Sequence, residues 1–216
     1  MTSSRVQYFE NNLLRLGDEQ SLRAFQLVKT EMCIEKGFSR QDNTHYYYHC
    51  VDVAQILINF GFHHTDIVSA ALLHDIVEDV KAYKISDIER LFNSQVASLV
   101  DLVTKKATIN YKDPTQLSLY LNRIEENALA ALIKCADRMH NFNTLRHCSF
   151  EKKIRVATET KSYFFPFFKR CRQRYPEYAP FFHFAKTFIE PHLWEIEDHY
   201  ETIQCYEKKL STRHKQ

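Results

Sequence analysis

The stretch Ala70-Ala71-Leu72-Leu73-His74-Asp75-Ile76-Val77-Glu78-Asp79 ends an apolar run with one imidazole and three carboxylates. Burying such groups without compensation is costly, a cost that a purely structural helix avoids and a metal centre explains. His74 and Glu78 are four apart, as are Asp75 and Asp79, and residues at that spacing share a helix face. His74 and Asp75 are adjacent, so both reach one ion only over the edge between them. Glu78 and Asp79 then fall one turn further on, close enough to act on whatever that ion holds. Ile67, Ala70, Ala71, His74 and Val77 follow the 3.6-residue period, which puts His74 on the buried stripe. The plain structural reading is a buried histidine beside a solvated acidic helix end. Partners elsewhere in the chain weigh against it.

The first partner is His49, four residues before Val53 on the stripe Val53, Ile56, Leu57 and Phe60. It reads either as a satisfied core histidine or as a neutral nitrogen ligand from a second helix. The second is Asp137, four residues after Ile133 on the stripe Ala128, Leu129, Leu132, Ile133 and Ala136. An isolated inward aspartate is expensive. Capping a neighbouring helix or pairing with Arg138 would relieve it, but ligating the same ion is the more economical account. Two imidazoles and two carboxylates suit a hard-to-borderline divalent ion, and the lack of thiolates argues against a structural zinc site. Such an ion lowers the pKa of bound water and polarises phosphorus. Glu78 and Asp79 become candidates for orienting or deprotonating that water, or for protonating a leaving group. Arg40 and nearby lysines can hold phosphates. Asn141, one turn after Asp137, and Thr144, three beyond it, can face the same cavity.

The elements that must position these groups read as helices. The 216 residues contain only three glycines and five prolines, few turn formers for a many-stranded sheet. Amphipathic helices are expected from about 6 to 36, with Leu13, Leu14, Leu22, Phe25 and Val28 on the apolar side and a stop at Gly37. Phe38 to His45 reads as a polar loop. The His49 helix ends at Gly61, and the His74–Asp79 helix at a break around Lys81 to Lys84. Ser86 is expected to cap the next helix, with Glu89 three residues later. A polar loop spans Lys105 to Pro114, one helical region about 115 to 141, and another helix Glu151 to Arg170, interrupted near Pro166. The remainder is aromatic, with Phe181, Phe182, Phe184, Phe188 and Trp194 at spacings typical of core or subunit interface. There is no repeat or linker, so a single domain over 1–216 is expected, of a length suited to one core.

A net charge of +2 is too weak to imply nucleic acid. No apolar run is long enough to span a bilayer, and nothing resembling a signal peptide follows Met1. The six cysteines form neither a zinc pair nor a disulfide framework. These features together read as a reduced, soluble, cytoplasmic protein.

The pattern His…His-Asp…Asp resembles the HD-domain metal-dependent phosphohydrolases, and more particularly the alarmone hydrolase branch of the RelA/SpoT family. The resemblance is carried by His74-Asp75-Ile76-Val77-Glu78-Asp79 and by Ala136-Asp137-Arg138-Met139-His140-Asn141. Leu99-Val100-Asp101-Leu102-Val103-Thr104-Lys105, Thr144-Leu145 and the run Glu151 to Thr160 match the family's pattern as well. The match covers about residues 38–170, leaving an aromatic helical extension at about 171–205. It implies an all-α fold, a single HD-domain helical bundle, and the length fits a stand-alone small alarmone hydrolase.

By resemblance, one Mn2+ ion is held by His49, His74, Asp75 and Asp137. Glu78 and Asp79 serve hydrolysis, and Arg40, Asn141 and Thr144 contact the nucleotide. The implied reaction removes the 3′-pyrophosphate of (p)ppGpp, giving GDP or GTP and pyrophosphate. A functional pairing with an alarmone synthetase is a further implication. The family's usual Arg-Lys pair is Arg40-Gln41 here, and its His-Pro is His49-Cys50. The lost lysine leaves ppApp or NADPH open as substrates. Ordinary nucleotides, or nucleotide binding without turnover, are the remaining alternatives.

Overall fold

The computed structural model describes residues 4–213, with side chains through Cys205. The described residues are helical with no strand, so the all-α expectation holds; an isolated bridge joins Ser39 to His45.

The chain opens with a helical hairpin, α1 (Ser4–Leu16) and α2 (Glu19–Glu31). Val6, Phe9 and Leu13 are buried at helical spacing, while Leu14 turns out to solvent. Asp18 caps α2 by accepting from the Ser21 amide at 3.0 Å. The expected stop at Gly37 falls at the end of a 3-10 turn rather than of α2, with Gly37 at φ 88°. The loop that follows is pinned by the Arg40 amide donating to the Thr44 carbonyl at 2.9 Å. It delivers the chain to α3 (Tyr47–Asn59).

Two helices form the centre. In α4 (Thr65–Leu73) every residue from Ile67 to Leu73 is buried, and it packs against α2, α3, α7 and α9. In α9 (Ala128–Thr144) every residue from Ala130 to His140 is buried, among them Lys134, Asp137, Arg138 and His140. A helix without a wet face must lie inside the molecule. Around these two stand α5 (Ile76–Asp79), α6 (Ile85–Leu91), α7 (Ser94–Val103) and α8 (Pro114–Glu125). The start of α6 differs from expectation. Its cap is Lys84, whose amide donates to the Asp87 carboxylate at 3.1 Å, not Ser86. The region expected as one helix from 115 to 141 is two, because the Asn127 side chain accepts from the Ala130 amide and starts α9 afresh.

The last layer is α10 (Phe150–Glu159), a π-helical turn (Thr160–Phe164), α11 (Phe165–Arg174) and α12 (Ala179–Arg213). The interruption expected near Pro166 is this π turn, with the proline in the first turn of α11, where a missing amide proton costs little. The aromatic extension serves partly as core: Phe181 and Phe182 are buried, whereas Phe184 and Trp194 are exposed. No helix of the described residues is long and apolar enough to cross a membrane.

Candidate metal centre and adjoining cleft

The centre forms where α4 stops. In a continuing α-helix the Ala71 carbonyl would accept the Asp75 amide. Here it accepts Nδ1–H of the His74 ring at 2.7 Å. His74 and Asp75 lie in a turn, with Asp75 at φ −105°, ψ −5°, before α5 begins at Ile76. The expected continuous helix through 70–79 is therefore broken at the two residues that carry the chemistry.

Hydrogen bonds fix the ring tautomers. With Nδ1 of His74 donating, the lone pair of the neutral ring sits on Nε2. Nδ1 of His49 lies 2.6 Å from Nδ1 of His140, and Nε2 of His140 lies 3.0 Å from Asp52 Oδ2. A carboxylate only accepts, so His140 donates from Nε2 and accepts at Nδ1. His49 then donates from Nδ1 and carries its lone pair on Nε2. Both lone pairs face the same point, with the two Nε2 atoms 3.2 Å apart. Asp75 Oδ2 lies 3.1 Å from His74 Nε2 and 3.5 Å from His49 Nε2, and Asp137 Oδ1 lies 3.3 Å from His49 Nε2. His49, His74 and Asp75 each place a ligand atom within 4.8 Å of the others. Two lone pairs and two carboxylate oxygens converging in a buried site repel one another unless a cation or a proton lies between them. The donor set therefore fits a divalent ion. Without one, a proton takes the place: burial opposes charge on His74, but Asp75 and then Asp137 outweigh it and push the ring up to about 9. Burial likewise disfavours both carboxylates, yet their pKa values are held well below the usual range, by His74 and His49 at Asp75 and by Lys134 and the two imidazoles at Asp137.

Asp137 is aimed by its own helix. Lys134, three residues earlier, donates to Oδ2 at 2.8 Å, and Asn141, four later, donates to Oδ1 at 2.7 Å. Arg138, the alternative partner weighed for it, turns away. Arg138 pairs with Glu159, reaches Thr160 Oγ1 at 3.4 Å and lies 3.5 Å over the Phe164 ring, tying α9 to the π turn. Arg40 crosses from its loop to donate to Asn141 Oδ1 at 3.2 Å and Thr144 Oγ1 at 2.7 Å.

Glu78 and Asp79 stand on α5. Glu78 accepts from the Lys105 amide at 2.9 Å. Burial first and then the Asp75 charge raise its pKa, and the same causes push Asp79 up to about 6. Tyr46 donates to Asp75 Oδ2 at 2.8 Å. Beside the centre lies a cleft of about 560 Å³, within the range that holds a nucleotide-sized ligand. Arg40, Lys105, Lys112, Lys134, Arg138, Lys152 and Arg155 line it, and Tyr46 and Asp137 form its border with the centre. Asn141 and Thr144 line the cleft too, while Glu78 and Asp79 do not. The structure thus brings His49, His74, Asp75 and Asp137 together, with Arg40, Asn141 and Thr144 beside them.

Sequence reasoning missed His140, Asp52, Tyr46 and Lys134 as parts of this constellation. Lys134 and His140 carry a usable signal, since both are three residues from Asp137 on an apolar helix. Asp52 and Tyr46, on exposed-looking positions flanking His49, carry none.

A His–His–Asp group at the centre of an all-helical fold defines a helical bundle with a candidate metal site. The HD-domain family model matches residues 24–172, and the chain belongs to that family. HD domains are metal-dependent, which agrees with the donor set. A probable guanosine-3′,5′-bis(diphosphate) 3′-pyrophosphohydrolase of Synechocystis sp. is 38% identical over 136 residues, 61% of this chain and 18% of that protein. The bifunctional (p)ppGpp synthase/hydrolase SpoT of Escherichia coli K12 is 31% identical over 156 residues, 70% of this chain and 22% of that protein. The chain spans about a fifth of the length of these curated relatives. Among solved structures, a metazoan ortholog of SpoT that hydrolyzes ppGpp superposes with a TM-score of 0.58 at 23% identity, covering 84% of this chain and 95% of that one, a likeness of fold.

Proposed function

We propose that this chain hydrolyses the 3′-pyrophosphate of guanosine alarmones, (p)ppGpp, to GDP or GTP and pyrophosphate. The observation that carries the reading is the junction of a His–His–Asp centre with a cleft lined by seven lysines and arginines. Such a lining suits a nucleotide with phosphates at both ends of its ribose. The activities for which the relatives are named support the same substrate.

His49, His74, Asp75 and Asp137 would hold one Mn2+ ion, which supplies a Lewis acid for phosphoryl oxygens and lowers the pKa of bound water. The chain's own residues supply the rest. Arg40, Asn141 and Thr144, already joined by hydrogen bonds, orient the nucleotide at the cleft's edge. A water oxygen forms a bond to the phosphorus attached to the 3′-oxygen, the bond from that phosphorus to O3′ breaks, and O3′ leaves as a hydroxyl. Glu78 and Asp79 serve that proton traffic. Asp79, with its pKa near 6, is poised to exchange a proton near neutral pH. Lys134 keeps the Asp137 carboxylate ionised and fixed in direction. A functional pairing with an alarmone synthetase and a cytoplasmic location complete the reading.

The test is a hydrolysis panel with Mn2+ on ppGpp, pppGpp, ppApp, NADPH and GTP, products resolved by anion exchange. GDP and pyrophosphate from ppGpp are expected. Preference for ppApp or NADPH would move the reading to those substrates, as Gln41 allows. Binding without turnover on all five would make the chain a nucleotide-binding module.

A further inference from the structure

We infer that His140, Asp52 and Arg5 are positioning residues that set the tautomer of His49 and thereby the metal affinity of the centre, with the helix before the family-matched region closing the chain of contacts. This rests on the metal-binding reading above.

The contacts run outward from the buried ligand. His49 Nδ1 meets His140 Nδ1 at 2.6 Å, His140 Nε2 meets Asp52 Oδ2 at 3.0 Å, and Arg5 Nη1 meets that same oxygen at 2.9 Å. Each link has one polarity. Arg5 only donates, ionised Asp52 only accepts, and His140 must therefore donate from Nε2 and accept at Nδ1. The proton of His49 is thereby confined to Nδ1. A flipped His140 would present Nδ1–H to His49, move the His49 proton to Nε2 and close the ligand position. Rings that hold metals are generally oriented in this way by an acceptor behind them, and losing it costs 10–100-fold in affinity. Here the acceptor is a second imidazole, so the fixed charge lies one residue further out.

Arg5 lies outside the region that the family model matches. The family match begins at residue 24, and Arg5 sits in α1. Val6 and Phe9 bury α1 against the core, and the Arg5 guanidinium lies 5.2 Å from the Tyr48 ring centroid, which aims it at α3. Its pair with Asp52 is half exposed on the arginine side. Arg5 is therefore expected to matter less than Asp52, since solvent screens such a pair.

The experiment has two readouts on the full chain. Long-range 1H–15N NMR of the metal-free protein reads the imidazole tautomers, and Mn2+ titration calorimetry reads affinity. The wild type is expected to show His49 protonated at Nδ1 and His140 at Nε2. Asp52→Ala is expected to weaken Mn2+ binding by about 10–100-fold and to mix the tautomers. Arg5→Ala is expected to lose no more than about fivefold, restored by Arg5→Lys, with circular dichroism unchanged in each variant. His49 protonated at Nε2 in the wild type, or Asp52→Ala binding Mn2+ within twofold of wild type, overturns the inference. Should the wild type show the expected tautomers but bind no Mn2+, the metal reading fails while the tautomer relay stands.

Discussion

The proton that His74 holds in the metal-free protein must leave when the ion enters, and the size of that exchange follows from the geometry. Burial of the ring and the two facing carboxylates leave it at about 9, against about 6.5 in an unfolded chain. A raised histidine contributes stability that is fully present below its unfolded pKa and is lost as pH rises through the folded one. The window is therefore pH 6.5 to 9. Across it the metal-free protein should lose about 3 kcal/mol of stability, at about 1.4 kcal/mol per unit. Mn2+ affinity moves the other way. Below pH 9 the ion displaces one proton, so the dissociation constant should fall close to tenfold per unit, about 100-fold between pH 6.5 and 8.5. Calorimetry at pH 7 in two buffers of different ionisation enthalpy should register one proton released per ion. Urea unfolding without metal gives the stability limb. A dissociation constant flat within threefold over that range, with no proton released, would refute the account of how the site neutralises itself.

Glu78→Ala should keep fold and metal content while losing at least about 100-fold in kcat, the usual worth of a positioned acid or base; equal turnover in that variant would remove Glu78 from the mechanism. Lys134→Met leaves Asp137 buried without its cation, which costs about 3–5 kcal/mol and should lower the Tm by roughly 6–20 °C for a chain of this size. Saturating Mn2+ should recover part of that loss in a thermal melt, because a ligand that binds only the folded state stabilises it. Arg40→Ala should raise KM for ppGpp about tenfold with a smaller change in kcat, and steady-state kinetics separates the two.

Much of the centre was legible because its ligands sit on apolar stripes. His74 and Asp137 each follow a periodic hydrophobic residue by one helical step and His49 precedes one, so their inward direction could be read from the sequence. The turn at His74–Asp75 could not. Nothing in Leu73-His74-Asp75-Ile76 signals a helix break, which depends on the His74 ring capturing the Ala71 carbonyl. The Lys134 partner of Asp137 was not named from the sequence, where Arg138 stood only as an alternative to metal ligation. Arg138 is its neighbour in sequence, but adjacent helix residues face apart and Lys134, three away, lies on the same side. The split at Asn127 and the cap at Lys84 were missed because both are set by a side chain bonding a nearby amide. In the aromatic extension, periodicity could not separate Phe181 from Phe184, since only the packed partner decides which side is covered.

The eleven consecutive buried residues of α9 include two site groups, Asp137 and Lys134, and two that hold them or their helix in place, His140 and Arg138. These charges cancel one another only when α3, α4 and the π turn have all docked. A chain drifting at any one of them strands a charge in the interior and loses its fold before selection on activity can act. The centre should consequently outlast the reaction it serves: a descendant that abandons hydrolysis can discard Glu78 or Arg40 from the periphery, yet it must keep the buried charges or replace them together.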